Sequence, residues 1–281
     1  MLPRPATLLL SVFLLSSPLV ALSQDVATGY DAYEHMGTQQ WDFSPVPIPA
    51  DFFGPGSDPF TGIVDLQGLP LGSTTECPSG LGNADTIVRR LQNATLPSIG
   101  SSDTVPIELV ELSLVSTQPI TVTYNGGQSP ETWDVTLTLS QSATSTGTMT
   151  IDKTVADGGI FGMTIDLEPR FVFTRVSDSM VAVLDVPGTW TDTLSTANVP
   201  WVYNAIGFAC PPCGSNFVPG NDGTQEVQFA ANGLQSGHLL SSACAPTVIP
   251  LLTSRGMLVM IGFLLLAGAF MLAKRRRRLA S

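Results

Sequence analysis

Catalysis needs nucleophiles, bases or metal ligands within reach of one another, and this chain offers few of them. They are the histidines His35 and His238, the cysteines Cys77, Cys210, Cys213 and Cys244, and one close carboxylate pair, Asp166 and Glu168. A Ser-His-Asp set would have to be built on one of the histidines, because such residues converge in space rather than in sequence; both histidines read instead as surface residues. H-E-x-x-H, G-x-S-x-G and G-x-x-x-x-G-K-[ST] are all missing. Zinc proteolysis, α/β-hydrolase chemistry and P-loop chemistry therefore lack their markers. Glycoside hydrolysis needs two carboxylates in complementary roles, and Asp166 and Glu168, two apart in TIDLEP, would share one face of a strand. Ile165 and Leu167 claim the opposite face, which turns the two acids outward to solvent. No catalytic residue is assigned.

Cys210-Pro211-Pro212-Cys213 has redox spacing, but no βαβ pattern precedes it and Gly214-Ser215-Asn216 follows as a loop. A thiol is activated by a helix N-terminus or a neighbouring cation, and neither is indicated here. Outside the cytoplasm the four cysteines read as two structural disulfides with three possible connectivities. A zinc knuckle normally uses two C-x-x-C units and only one is present. Asp51 to Asp58 and Asn221-Asp222-Gly223 are turn chemistry, without the D-x-D-x-D-G of a calcium loop. No metal and no cofactor is expected. Trp41, Trp133, Trp190 and Trp201 could make a sugar-stacking platform, although Trp133 sits in phase with core positions.

The elements that would position these residues are strands. In TWDVTLTLS, residues 132–140, Trp133, Val135, Leu137 and Leu139 alternate with polar residues, so one face is buried and the other wet. Residues 119–124 alternate in the same way, and Asn125-Gly126-Gly127 joins the two runs as a hairpin longer than two residues. Further strands are predicted at 86–91, 107–115, 148–152, 163–167, 171–175, 180–186, 201–203, 226–230 and 238–242. In 107–115 the apolar phase shifts between Leu109 and Val110, which predicts a β-bulge. With 26 Gly and 22 Pro and no sustained helical period outside the termini, the body reads as all-β, an antiparallel sandwich of one large or two tandem modules. The Ser/Thr-rich residues 140–148 are the candidate boundary if there are two. Residues 41–72 read as an ordered, irregular wrap over the sheet or a set of edge pieces, since Phe43, Phe52, Phe53 and Phe60 oppose disorder while prolines and glycines interrupt the run every few residues.

The two ends fix an expected location. Residues 1–23 combine Arg4, an apolar stretch from Leu8 to Val20 and the small residues Ala21-Leu22-Ser23, the composition of a secretory signal peptide cut before Gln24. Residues 256–273 are uncharged and close to the roughly 20 residues a membrane-spanning helix requires. Lys274, Arg275, Arg276, Arg277 and Arg278 follow, and such a basic run is held on the cytoplasmic side. Residues 24–248 are thus expected outside the membrane. They hold all 23 acidic residues against five basic ones, a net of −18, which repels nucleic acid and anionic headgroups.

Ile249, Pro250, Leu252, Gly256 and Met257, followed by the apolar helix and the arginine run, resemble a bacterial PEP-CTERM-class sorting tail, best in its Ile-Pro-Thr-Leu variant. Leu251 stands where Thr is usual, and Ser254 and Arg255 where an acidic residue and Trp are common. The resemblance covers about the last 33 residues and implies processing by signal peptidase and by an exosortase-like enzyme that removes the tail at the envelope. It also implies a Gram-negative-type cell, in which Asn93-Ala94-Thr95 carries no glycosylation signal. The alternative for the tail is a simple one-span anchor. The function expected is that of a non-enzymatic surface or matrix protein, structural, adhesive or binding toward extracellular polysaccharide; the alternative is a polysaccharide hydrolase using paired carboxylates.

Overall fold

The computed structural model describes residues 25–72, 81, 83–203, 217–219, 226–229 and 238–242. The cysteines Cys77, Cys210, Cys213 and Cys244, residues 1–24, and the tail with its sorting motif, apolar stretch and basic run lie outside the described residues.

The described residues are all-β. In chain order the strands are β1 (Gly29–His35), β2 (Thr38–Asp42), β3 (Ile63–Gly68), β4 (Thr86–Arg90), β5 (Ser102–Leu112), β6 (Leu114–Ser116), β7 (Ile120–Tyr124) and β8 (Gln128–Leu139). They continue as β9 (Ser145–Val155), β10 (Gly158–Leu167), β11 (Pro169–Arg175), β12 (Val181–Leu184), β13 (Asp192–Tyr203), β14 (Phe217–Pro219), β15 (Glu226–Phe229) and β16 (His238–Ser242). Among the described residues no helix is long and apolar enough to cross a membrane.

Two antiparallel sheets result. The first runs β14-β13-β10-β9-β5-β4-β1-β16-β15 and the second β12-β11-β8-β6-β3-β2, with β7 also paired to β8. Leu114 of β6 and Ile120 of β7 pair with Leu137 and Trp133 on one edge of β8, while β11 pairs along the other. The chain passes between sheets at tight corners: Met36-Gly37, Ser113, residues 140–144 and Glu168. Two of these corners are tied together, since Ser140 N donates to Glu168 O at 2.9 Å and Glu168 N to Ser145 Oγ at 2.9 Å. Residues 140–148 are thus a corner and the start of β9, and strands from either side of them pair with one another in both sheets.

Alternation decides which side chains go inside. Trp133, Val135 and Leu137 of β8 and Phe171 and Phe173 of β11 are buried from the second sheet. They face Val105, Ile107, Met149, Ile151, Met163 and Ile165 of the first in one continuous core. The bulge expected near Val110 is present: Val88 pairs with Leu109 and Ile87 with Glu111, which skips Val110 and keeps both Leu109 and Leu112 buried. The three-residue hairpin loop is present too, with Asn125, Gly126 and Gly127 all at positive φ.

Within residues 41–72, Ile63–Gly68 is a regular strand paired with β2 on one side and β6 on the other, so the irregular wrap is confined to residues 43–62, where aromatics order it. Phe53 meets Trp133 and Phe173 with ring centroids 5.1 Å apart in each case, and Phe43 meets Phe171 at 5.1 Å and Phe60 at 5.8 Å. Tilted and edge-on contacts of this kind add about 0.5–1.5 kcal/mol each to the apolar burial. Asp58 fastens the wrap to the hairpin. Its carboxylate accepts from Thr123 Oγ1 at 2.7 Å, Gly127 N at 2.8 Å and Gly126 N at 2.9 Å. These bonds, the threonine hydroxyl first, hold its pKa below the usual carboxylate value.

A carboxylate whose folded pKa is depressed stabilises the fold above its unfolded pKa of 3.8, and that contribution disappears as pH falls through the lower folded value. Asp178 behaves alike: the Arg175 guanidinium, with help from Met180 N, holds it at about 2. The melting temperature of the wild-type chain is expected to fall as pH drops below about 4. Asp58→Asn is expected to start lower at neutral pH and to fall less steeply across that window. Parallel curves in thermal melts of the two proteins would show that Asp58 does not fasten the wrap.

Candidate functional site

The first place to look for chemistry is β1, because its inner face is polar: Asp31, Tyr33 and His35 alternate toward the interior of the sandwich. His35 is not the surface residue its sequence context suggested. Burial overturns that expectation, since its side chain is 2% exposed. Its Nδ1 lies 2.7 Å from Asp85 Oδ1, and its backbone N donates to Asp85 Oδ2 at 2.8 Å. Thr86 Oγ1 donates to the same Asp85 Oδ1 at 2.7 Å and lies 3.3 Å from His35 Nδ1.

The trio superficially matches a hydroxyl, a base and an orienting acid, but the order of contacts is wrong for nucleophile activation. A base must take the hydroxyl proton on one ring nitrogen while the acid holds the other. Here hydroxyl and acid crowd the same nitrogen, and the hydroxyl proton already goes to the carboxylate. The trio works instead as a lock. Asp85 also reaches Tyr33 O through its backbone N at 3.0 Å, and Ser113 N donates to Asp85 O at 2.9 Å, so one residue ties β1, β4 and the β5–β6 corner together. Gly68 of β3 makes room for it, since a Cβ there would lie 1.9 Å from Asp85 Oδ2.

Farther along the same ribbon, Arg90 is fully buried and pairs with Asp31, the two side chains being 0% and 1% exposed. Its Nε and Nη2 both donate to Ala27 O at 3.2 Å. Its guanidinium lies 4.8 Å from the Phe217 ring centroid. Phe217 belongs to β14, at the far edge of the same sheet, and packs on Trp201 and Phe161. The first sheet therefore curls, and Arg90 is where strands distant in sheet order meet. Burial pushes the Tyr33 phenol well above its ordinary pKa, with the Asp31 carboxylate adding to the effect.

The second place is the outer face of the first sheet. The registers of β5, β9, β10 and β13 align side chains in rows. Glu108, Thr146, Asp166 and Thr193 form one, and Pro106, Thr148, Thr164 and Ser195 the next. Thr104 and Thr150 begin a third, their hydroxyl oxygens 2.9 Å apart. Thr104, Thr146, Thr148, Thr164 and Asp166 are exposed. Strand geometry spaces such a grid at about 4.8 Å across strands and about 6.8 Å along them. The face is a stiff array of hydroxyls and carboxylates, with donors and acceptors at fixed intervals.

The sequence-derived candidates fall into place around these two features. Asp166 lies in the first row and accepts from Thr193 Oγ1 at 3.0 Å. Glu168, at the corner before β11, accepts from Gly188 N at 3.0 Å. Asp166 faces outward, as its alternation indicated, whereas Glu168 lies beyond the end of β10 in the corner between the sheets and is half-buried, so the two do not share one strand face. Trp41, Trp133 and Trp201 are buried, so the four tryptophans do not form a sugar-stacking platform. Trp190 is half-buried and donates to Val46 O at 2.9 Å. A groove of ≈ 260 Å³ lies beside Asp58, Phe60, Thr121 and Thr123, but its one carboxylate is committed to the hairpin. Among the described residues no three His, Cys, Asp or Glu side chains converge as a metal site requires. His238 begins β16, as its strand assignment expected.

Comparison with known proteins returned no matching family model, curated protein or solved structure.

Because both charges of the Arg90–Asp31 pair are buried, removing one partner strands the other. Arg90→Met is expected to cost roughly 3–5 kcal/mol in denaturant unfolding, whereas Arg90→Met with Asp31→Leu is expected to recover most of that loss. Equal destabilisation in the single and double variants would show that the guanidinium acts through its Phe217 contact rather than through the pair.

Proposed function

We propose that this chain is an exported bacterial surface or matrix protein of structural or binding type. In this reading its N-terminal segment is a signal peptide removed by signal peptidase. Its tail, built on Ile249, Pro250, Leu252, Gly256 and Met257 with the basic run that ends at Arg278, is an address read by an exosortase-like enzyme. The body contacts extracellular polysaccharide without turning it over. The observation that carries the reading is the outer face of β5, β9, β10 and β13. It is broad and presents threonine hydroxyls, Asp166 and the Glu108–Arg89 ion pair in register.

The chemistry suits a neutral, hydroxyl-rich polymer. Sugar hydroxyls donate to Asp166 and exchange bonds with the threonines, while Glu108 brings the guanidinium of Arg89, its ion-pair partner, to the same face as a donor, and a repeating chain meets a repeating grid. Individual bonds of this kind contribute little net free energy, about 0.5–1.5 kcal/mol each, so affinity depends on many repeats engaging together. A net charge of −18 on the body excludes strongly anionic polymers and nucleic acid as partners. The buried polar groups of β1 and β4 support the same reading, because their bonds join strands to one another.

Co-sedimentation of the chain with neutral polysaccharide isolated from its own cells tests this. Binding is expected without release of reducing ends. A variant with Thr146, Thr148 and Thr164 each changed to Val keeps side-chain shape and strand propensity but loses three hydroxyls, and should bind at least about tenfold more weakly, the equivalent of ~1.4 kcal/mol. Release of reducing ends would overturn the non-enzymatic reading in favour of hydrolysis, and undiminished binding by the variant would remove this face as the contact.

A further inference from the structure

We infer that the free edge of β12 is a self-association surface, through which two copies of the chain join their second sheets into one. β12 is the last strand of that sheet and pairs only with β11 among the described residues. The phase of its hydrogen bonds follows from one contact: Arg175 N donates to Met180 O at 2.8 Å. Antiparallel pairs alternate between bonded and non-bonded positions. From Arg175–Met180, the register makes Phe173–Ala182 and Phe171–Leu184 the bonded pairs. Val181 and Val183 therefore turn their N–H and C=O groups away from β11, toward the open edge.

The side chains there are apolar and uncovered. Val181 is 55% exposed and Val183 43% exposed, with Val176, Met180 and Val186 exposed around them. Natural edge strands are usually guarded by charge, proline or a bulge. The opposite edge of the same sheet follows that rule, since β2 carries Gln40, which bonds to Asp65, and leads into Asp42 and Pro45. β12 carries neither charge nor proline within its four residues, and Asp185 and Pro187 lie just beyond its end.

A second copy is the occupant that fits. The exported body is strongly acidic overall, which opposes self-association through its acidic surfaces. The stretch from β11 to the end of the β12 edge is electrically balanced. It holds Arg170, Arg175, Asp178 and Asp185, a local charge of zero, with Arg175 paired to Asp178 and Arg170 to Asp185. The two pairs sit at opposite ends of β12. A two-fold axis sets antiparallel strands end against end and so brings the Arg175–Asp178 pair of one copy to the Arg170–Asp185 pair of the other. With Ala182 on the axis, Val181 of each copy faces Val183 of its mate as a bonded pair, which adds four backbone hydrogen bonds. Such an interface is isologous and closes at two copies.

Light scattering and sedimentation of the full chain, as processed by its own cells, over a range of concentrations test this. The wild-type mass should double with rising concentration. Val183→Pro removes an outward N–H while sparing the β11 ladder, and Val183→Lys places a charge on the edge. Both should raise the concentration at half-dimer at least about tenfold, with Val183→Lys deciding the matter if the proline variant melts early. A wild-type chain that stays monomeric throughout, or a dimer insensitive to a correctly folded variant, would overturn the inference.

Discussion

The Arg90 guanidinium is the point on which the first sheet closes. A sheet of this many strands, left flat, would expose one long face and two edges. Here it curls until β14, at one edge, packs over β4, well inside the order. A buried cation at that point is costly unless it is paired and its donors are used. Asp31 neutralises it, Ala27 O accepts from two of its nitrogens, and the Phe217 ring covers it. These groups come from the first strand, the segment before it and a strand near the other end of the described chain. One ion pair therefore records the whole circuit of the fold.

The buried acids, histidine and threonine around β1 and β4 are the groups that would normally suggest an active site. Their hydrogen bonds run from strand to strand: Asp85 to His35, Thr86 and the Ser113 corner, and Arg90 to Asp31 and Ala27. What faces outward is the hydroxyl and carboxylate grid of the first sheet and the apolar edge of the second. The proposed role in contact rather than turnover draws on these surfaces.

Much of the fold was legible in the sequence wherever a strand has one apolar face. TWDVTLTLS alternates because its inner residues meet the aromatic core, and the phase slip at Val110 showed as a bulge because both halves of β5 must bury leucines. The aromatic wrap was legible from Phe43 and Phe53, which are fully buried. β1 was not legible, for the same physical reason that makes it important. GYDAYEH buries Asp31, Tyr33 and His35, so hydropathy shows no period, and only knowledge of Arg90 and Asp85 across the ribbon explains it. The outer grid was half legible. The alternation of Thr146, Thr148 and Thr150 with Met149 and Ile151 can be seen in one strand, but alignment into rows requires the register. The tryptophans misled because a large apolar ring suits both a platform and a core, and three of the four went inside.

The proposed role requires that the body works outside the cell and reaches its place through the two ends of the chain. The intact mass of the mature protein, recovered from its native cells, tests that directly. The mature chain is expected to begin near Gln24 and to end between Ile249 and Gly256. A chain that begins near Gln24 but runs to Ser281 would turn the address into an anchor, and an intracellular chain running from Met1 to Ser281 would contradict the proposed location altogether.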